Sequence, residues 1–265
     1  MYAWQTKSFR ARGLRLKPRA CFARCRVGNF TTSLYSKYSK KAKRALTHLL
    51  PTIISLDMHD LLNLLLATLL EHDIPVNGMA VKAAAALPQD QAIECLEVLF
   101  ALGWDVNEPL SNTEPPVLSV ALHDTSLAHW LLQNGADPNA ECDIDYTPLY
   151  VAVNRSTMPT VQLLLQYAQH SHNGHLVYHA TQRADNLEAT KMIKLLHDHH
   201  KPIDDIFSIP TGTPLFYACS EDKRPIALTL IELGADPDKP CLRYNEIVGP
   251  SPRQVALDHG WDLSS

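Results

Sequence analysis

The sequence lacks the short motifs that mark the common catalytic sites. It contains no GxSxG nucleophile elbow, no GxxxxGK[ST] phosphate loop, no HExxH zinc motif and no GxGxxG dinucleotide motif. Carboxylates stand side by side at Asp204-Asp205 and Glu221-Asp222, but neighbouring acidic residues in loops are usually solvated faces. We therefore expect a chain that is not an enzyme and needs no cofactor.

Cysteine pairs and long apolar runs are also missing. The six cysteines include no CxxC pair, so their spacing predicts neither a disulfide framework nor a zinc framework. Cys95 and Cys219 fall on predicted helices, where we expect small buried thiols. The longest apolar run, Leu61 to Leu70, is interrupted by Asn63. It is about half the length of roughly 20 residues that a membrane-spanning helix needs.

Histidine is plentiful, with 13 residues, but its pattern does not complete a metal site. His175 and His179 have the i, i+4 spacing that can chelate zinc on a helix. No cysteine or carboxylate pattern supplies the remaining ligands, and histidines also sit favourably at helix ends because of the helix dipole. We expect no metal site.

Acidic residues are absent from the first 56 residues, which contain 13 Lys and Arg. Three interpretations remain open for this leader. An Arg-rich, acid-free N-terminus is typical of a mitochondrial transit peptide. The cluster Lys40, Lys41, Lys43 and Arg44 is typical of a nuclear-import signal. A basic disordered tail without an address is the third interpretation.

A recurring pattern of helix ends and helix starts fills the rest of the chain. The segment from Leu131 to Asn139, LLQNGADPN, indicates a helix end, a glycine stop and an extended loop. Thr147-Pro148-Leu149 then indicates a new helix with a threonine cap and proline in its first turn. The helix end recurs at Gly234-Ala235-Asp236-Pro237 and the helix start recurs at Thr213-Pro214-Leu215.

The spacing of this pattern is nearly regular. The helix stop recurs every 30 to 35 residues, at Asp73, Gly103, Gly135, Ala168, His199 and Gly234. Each helix start is followed five residues later by an alanine, which suits close approach of neighbouring helices. The helix starts are Met79, Pro116, Thr147, His175, Thr213 and Ser251, and the alanines are Ala84, Ala121, Ala152, Ala180, Ala218 and Ala256.

This period and these motifs resemble the ankyrin repeat, a turn and two helices in about 33 residues. The resemblance implies an all-α repeat solenoid, in which helix-turn-helix repeats stack and finger loops protrude. A bundle of unequal helical hairpins is the alternative, and the glycine and Thr-Pro spacing disfavours it.

The domain organisation follows from these positions. Residues 1–45 form the basic leader, and residues 46–265 form the repeat domain, with an insertion predicted as a longer loop from Cys241 to Pro250. The predicted repeats lie near 46–78, 79–110, 111–146, 147–174, 175–210 and 211–250, followed by a C-terminal cap at 251–265.

The resemblance also implies where a partner binds, because ankyrin proteins contact partners through finger tips and the exposed side of the first helices. An alternative for Tyr150 and Phe216 is that they pack against the next repeat. The predicted binding residues are Glu141, Cys142, Asp143, Ile144, Asp145, Tyr146, Tyr150, Asn154, Phe216, Tyr217 and Ser220.

Charge narrows the kind of partner. From residue 57 onward the chain holds 28 acidic and 11 basic residues, so the repeats would repel phosphate and should not bind nucleic acid directly. A protein with a basic or partly apolar segment fits better, and no membrane contact is expected. The sequence favours a nuclear regulatory adaptor or transcription coregulator. The alternative is an enzyme inhibitor or substrate receptor in cytosol or mitochondrion.

Overall fold

The computed structural model describes residues 52, 76–144, 146–168, 175–206, 212–239, 242–243, 246–247 and 249–263. Successive helix pairs dominate this part of the chain, and short strands lie in two of the loops between them. The helices are α1 (Gly78–Ala85), α2 (Gln89–Ala101), α3 (Thr125–Gln133), α4 (Pro148–Arg155), α5 (Met158–Tyr167), α6 (Leu176–Thr181), α7 (Asn186–Asp198), α8 (Pro214–Ser220), α9 (Arg224–Glu232) and α10 (Pro252–Asp258).

The pairs stack in two rows, as the predicted solenoid requires. First helices pack on first helices, α4 against α6, α6 against α8 and α8 against α10, and second helices pack likewise, α2 against α3, α3 against α5 and α7 against α9. Strands β1 (Pro109–Ser111) and β2 (Glu114–Pro116) pair antiparallel, as do β3 (Leu242–Arg243) and β4 (Glu246–Ile247). The fold is thus mostly helical, with stacked helix pairs and hairpin-shaped loops.

Three of the first helices begin at the predicted capping residues. Thr147 Oγ1 accepts a hydrogen bond from the Tyr150 amide at 3.1 Å, and Thr213 Oγ1 accepts one from the Phe216 amide at 3.1 Å. Ser251 Oγ accepts one from the Gln254 amide at 3.3 Å. Each bond satisfies an amide that has no partner within its helix, which stabilises the helix by about 1 kcal/mol.

The predicted glycine stops and alanine contacts are also confirmed. Gly135 has φ 92° and Gly234 has φ 94°, a left-handed conformation that costs other residues more than it costs glycine. All six recurring alanines are 0% exposed, so each allows the segment that carries it to approach its neighbours closely. Cys95 and Cys219 are buried as well.

The structure departs from the simple pattern in its degenerate copies. After Pro116 the first helix is replaced by two 3-10 turns, Val117–Ser119 and Ala121–His123, with no side-chain cap. Its valines are poor helix formers because χ1 is restricted. The helix near Met79 instead starts at Gly78, capped by Asn77 Oδ1, which accepts from the Ala80 amide at 2.9 Å. The predicted loop from Cys241 to Pro250 contains the β3–β4 pair.

Several predictions fall outside the described residues. These are the leader, most of the first repeat with its stop at Asp73, and the apolar run from Leu61 to Leu70. Among the residues that the structure does describe, no helix is both long enough and apolar enough to cross a bilayer.

Candidate functional site

The candidate site begins at the finger loop, residues 134–147, which joins α3 to α4. Asp137 Oδ1 accepts from the Asn139 amide at 2.8 Å, and the Pro138 carbonyl accepts from the Leu149 amide at 2.9 Å. The Tyr146 carbonyl accepts from the Cys142 amide at 3.1 Å, which closes the tip. The described part of the loop therefore holds a defined shape through hydrogen bonds within it and to the first turn of α4.

The tip of the finger loop is also fastened to the hairpin of the preceding repeat. The Asp143 amide donates to the Asn112 carbonyl at 3.0 Å, and Asn112 Nδ2 donates to Asp143 Oδ2 at 2.7 Å. Asn112 lies between β1 and β2. The two tips consequently form one continuous ridge.

A second link joins neighbouring fingers at their base. Asn107 Oδ1 accepts from the Asp137 amide at 2.7 Å, while Asn107 Nδ2 donates to the Gly135 carbonyl at 3.0 Å. Asn107 is four residues past the left-handed Gly103, and Asp137 is two residues past Gly135. One amide side chain thus satisfies a donor and an acceptor of the next repeat.

A carboxylate makes the same kind of link, which we call a joint, between two later repeats. Asp204 lies four residues past His200, which has φ 57°, and its Oδ2 accepts from the Asp236 amide at 3.0 Å. Its Oδ1 is buried and has no hydrogen-bond partner among the described residues. Burial raises the pKa of Asp204 above 3.8, against the lowering effects of the Asp236 amide and Lys239. The Asp204 side chain therefore links two neighbouring repeats, and the prediction that it is only a solvated surface carboxylate is wrong.

A row of aromatic rings runs from the finger loop across three first helices. The ring centroids lie 4.7 Å apart for Tyr146 and Tyr150, 3.4 Å for Tyr150 and His179, 5.0 Å for His179 and Tyr178, and 5.2 Å for Tyr178 and Tyr217. We call this set the aromatic row. Tyr150, Tyr178 and His179 are buried, while Tyr146 and Tyr217 at its ends reach solvent.

His179 is fixed in this row as a neutral ring. Burial lowers its pKa to about 3, although the hydrogen bond between Nδ1 and Gln182 Oε1, 3.2 Å long, favours the charged form. Asn154 Nδ2 approaches the His179 carbonyl and Gln182 Oε1, both at 3.4 Å. At neutral pH this junction between α4 and α6 carries no histidine charge.

Basic side chains stabilise the ends of the first helices from the following repeat. Arg183 donates from Nη1 to the Val153 carbonyl at 2.7 Å and from Nη2 to the Ser156 carbonyl at 2.9 Å. Lys223 Nζ donates to the Thr181 carbonyl at 2.8 Å. Val153 and Thr181 each follow the recurring alanine, so both cations bind equivalent carbonyls. This arrangement locks the stacking of α4, α6 and α8.

The predicted binding residues divide by exposure. Glu141, Asp143, Ile144, Tyr146 and Ser220 are exposed, with Ile144 at 48% and Tyr146 at 37%. Asn154, Phe216 and Tyr217 are half-buried.

Two predicted residues are buried instead. Cys142 and Tyr150 are each 5% exposed, so the prediction that they contact a partner is corrected. Cys142 lies inside the closed tip of the finger loop, and Tyr150 stacks on His179 as the packing alternative proposed. Phe216 keeps a half-exposed surface.

Some predicted residues cannot be placed. Asp145 and the import-like cluster Lys40, Lys41, Lys43 and Arg44 lie outside the described residues. Among those described, no three His, Cys, Asp or Glu side chains come together as a metal site would require.

Sequence reasoning missed the residues that join the repeats. Tyr150 and Tyr178 occupy the position two residues before the recurring alanine, and His179 and Tyr217 occupy the position one residue before it, so the repeat alignment could have indicated most of the aromatic row. Asn107 and Asp204 share a position four residues after the left-handed residue that follows the helix, Gly103 and His200 respectively. Asn112 carried no sequence signal.

Charge is unevenly distributed along the repeats. Residues 83–154 contain 11 Asp and Glu and no Lys or Arg, whereas residues 155–265 contain 13 acidic and 10 basic residues. The finger loop belongs to the acidic stretch, and α8 with Phe216 and Tyr217 belongs to the nearly balanced one.

The similarities to known proteins agree with this architecture. No protein-family model matches the chain. The ankyrin repeat protein nuc-2 of Neurospora crassa is 27% identical over 166 residues, which are 53% of this chain and 15% of nuc-2. The chain thus corresponds to a small part of that relative.

Solved structures give the fold directly. The ankyrin repeat domain of Bcl-3, described as a unique member of the IkappaB protein family, has a TM-score of 0.55 at 20% identity, covering 68% of this chain and 79% of that one. The ankyrin repeat protein EF0377 has a TM-score of 0.54 at 21% identity, covering 68% of this chain and 90% of that one. At these identities the likeness concerns the fold alone.

Proposed function

We propose that this chain, which shares its fold with the solved ankyrin repeat domains, is a non-enzymatic regulatory adaptor that binds another protein through its finger loop and first helices. Ankyrin-repeat domains are generally protein-interaction modules. The observation that carries the proposal is the fingertip, where exposed Ile144 and Tyr146 stand beside Glu141 and Asp143.

The fingertip has the properties of a binding hot spot. Tyrosine offers a large rigid surface with a polar end, and such residues dominate the energy of many interfaces. Tyr146 rests on the buried Tyr150, and Asp143 is tied to Asn112. A surface that is already ordered loses little conformational entropy on binding, which favours affinity.

The proposed finer role is that of a transcription coregulator in the nucleus. It is supported by the basic cluster Lys40, Lys41, Lys43 and Arg44 and by the acidic repeats, which disfavour direct nucleic-acid contact. An enzyme inhibitor or substrate receptor would use the same surface in cytosol or mitochondrion. The localisation of a fluorescent fusion distinguishes the nuclear role from the alternative. If the nuclear role is right, the wild type accumulates in the nucleus and a variant with alanine at all four basic positions does not.

The binding proposal is tested by partner capture with matched variants. The site variant is Glu141→Lys with Tyr146→Ala. The control is Glu97→Lys with Tyr167→Ala on the second helices, since Tyr167 is 38% exposed, Glu97 is exposed and the charge change is identical. We expect the site variant to lose the proteins that the wild type and control capture reproducibly. Equal capture by all three folded proteins would reject the site.

A further inference from the structure

We infer that the partner segment is divided in its chemistry, with a basic part on the acidic fingers and an uncharged apolar part on the surface of α8. This inference rests on the proposed function and specifies its partner. Two observations carry it, namely the charge segregation between the two halves of the array and the aromatic row that connects them.

The acidic fingers present exposed carboxylates to a ligand. Glu108 and Glu141 are exposed, and their carboxylates form no hydrogen bond or ion pair with other described residues, although the Glu108 amide donates to the Asp105 carbonyl at 2.9 Å. Asp105 and Asp137 each use one oxygen to accept from the amide two residues onward, at 2.9 and 2.8 Å. No Lys or Arg occurs between Lys82 and Arg155 to neutralise these groups. Among the described residues Lys82 pairs with Glu114, but no basic side chain pairs with these four carboxylates, so a partner's Lys or Arg side chains meet a negative ridge.

The fingertip supplies an apolar contact within this negative field. Ile144 and Tyr146 are the exposed apolar residues there, and the carboxylates of Glu141 and Asp143 belong to the same loop. Arginine suits this setting because its guanidinium can pair with a carboxylate while its plane lies on an aromatic ring. The finger end of the row therefore favours a cation.

The opposite end of the aromatic row disfavours another cation. Lys223 Nζ lies 5.4 Å from the centroid of Tyr217, so that ring already contacts a positive charge. Phe216, one residue earlier, is half-buried and apolar. Glu221 acts on both Tyr217 and Lys223 and offsets the lysine charge, so this surface has no unbalanced negative charge to attract a second Lys or Arg, and an uncharged apolar side chain fits it better.

The distance between the two ends fits one short peptide segment. Four ring-to-ring steps of 3.4 to 5.2 Å separate Tyr146 from Tyr217. An extended chain advances roughly 3.3 Å per residue, so at most about six residues cover the row. Tyr150, Tyr178 and His179 are buried beneath this path and keep the two ends at a fixed separation.

The inference is tested with two synthetic peptides of identical composition. In the block peptide, one half contains about six Lys and Arg, and the other half contains Phe and Leu separated by Ser and Gly. In the alternating peptide, the basic and the apolar residues alternate along the whole length. We expect the full-length protein to bind the block peptide at least about tenfold more tightly in fluorescence anisotropy. Equal affinities would overturn the division into two parts.

Matched charge reversals locate the basic part. Glu108→Lys with Glu141→Lys changes two fingers, whereas Glu94→Lys with Glu97→Lys places the same charges on exposed positions of α2. We expect the finger pair to weaken block-peptide binding about tenfold or more and to flatten its salt dependence, while the α2 pair has a small effect. Equal losses would show that net charge alone acts and would overturn the inference. The proposal that the fingertip binds a partner through Tyr146 would survive that result, so the inference about the divided segment and the proposed function can fail independently.

Discussion

Replacing Asp204 by asparagine should stabilise the repeat domain. Asp204 and Asn107 occupy equivalent joints, but Asn107 donates from Nδ2 to the Gly135 carbonyl, whereas Asp204 Oδ1 is buried without a described partner. By this equivalence we expect an amide at position 204 to donate to the Gly234 carbonyl. It would retain the acceptor for the Asp236 amide, 3.0 Å away in the wild type.

The expected gain is that of one net hydrogen bond, about 1 kcal/mol. For a domain of this size that corresponds to a rise in Tm of roughly 2–4 °C. Since the folded pKa of Asp204 lies above its ordinary value of 3.8, the fold favours the protonated acid. This contribution to stability is present below the unfolded pKa and is lost as pH rises through the folded pKa. The advantage of Asp204→Asn should therefore be largest at neutral pH and shrink in acid.

Urea and thermal unfolding of wild type and variant at several pH values measure this difference. Asn107→Asp is the converse variant and should destabilise the domain by about 1 kcal/mol at neutral pH, because it replaces the donor to the Gly135 carbonyl by an oxygen that faces another acceptor. An unchanged or lowered Tm for Asp204→Asn at pH 7 would refute the equivalence of the two joints.

Three further outcomes follow from the inter-repeat contacts, the caps and the buried thiols. Arg183→Ala removes both bonds to the Val153 and Ser156 carbonyls and should cost about 1.5–3 kcal/mol in urea unfolding; a loss below about 0.5 kcal/mol would show that this cation does not lock the stack. Thr213→Ala should cost about 1 kcal/mol and Thr213→Ser much less, because serine retains the capping oxygen; equal losses would assign the effect to packing. Cys219, 0% exposed and with a pKa raised by burial to about 12, should resist alkylation in the native state at pH 8 and react after denaturation, as mapped by mass spectrometry; native labelling would contradict its burial.

The sequence predicts the repeat architecture because its signals are local and recur. A threonine cap with proline behind it, a glycine in the left-handed region and a buried alanine each depend on a few neighbouring residues. The best copies contain all three signals, for example the cap Thr147, the glycine Gly135 and the alanine Ala152. Each of these residues has the predicted geometry. The Pro116 copy fails where the cap is missing and valines replace good helix formers.

The site could be predicted only in part, because exposure depends on the neighbouring repeat. Tyr146 and Tyr150 look equivalent as aromatic residues near a helix start, yet His179 from the next repeat covers Tyr150 and leaves Tyr146 partly open. The role of Asp204 likewise depends on a backbone amide 32 residues away. Contacts at such separations leave little trace in one sequence unless the repeats are compared position by position.

The most direct test of the fingertip as the binding site is the affinity of a purified captured partner for three proteins. Isothermal titration would compare the wild type, the site variant Glu141→Lys with Tyr146→Ala, and the control Glu97→Lys with Tyr167→Ala. Truncation at a hot spot costs about 2 kcal/mol or more, so the site variant should raise Kd at least about thirtyfold while the control stays near wild type. An unchanged Kd for the folded site variant would contradict the account.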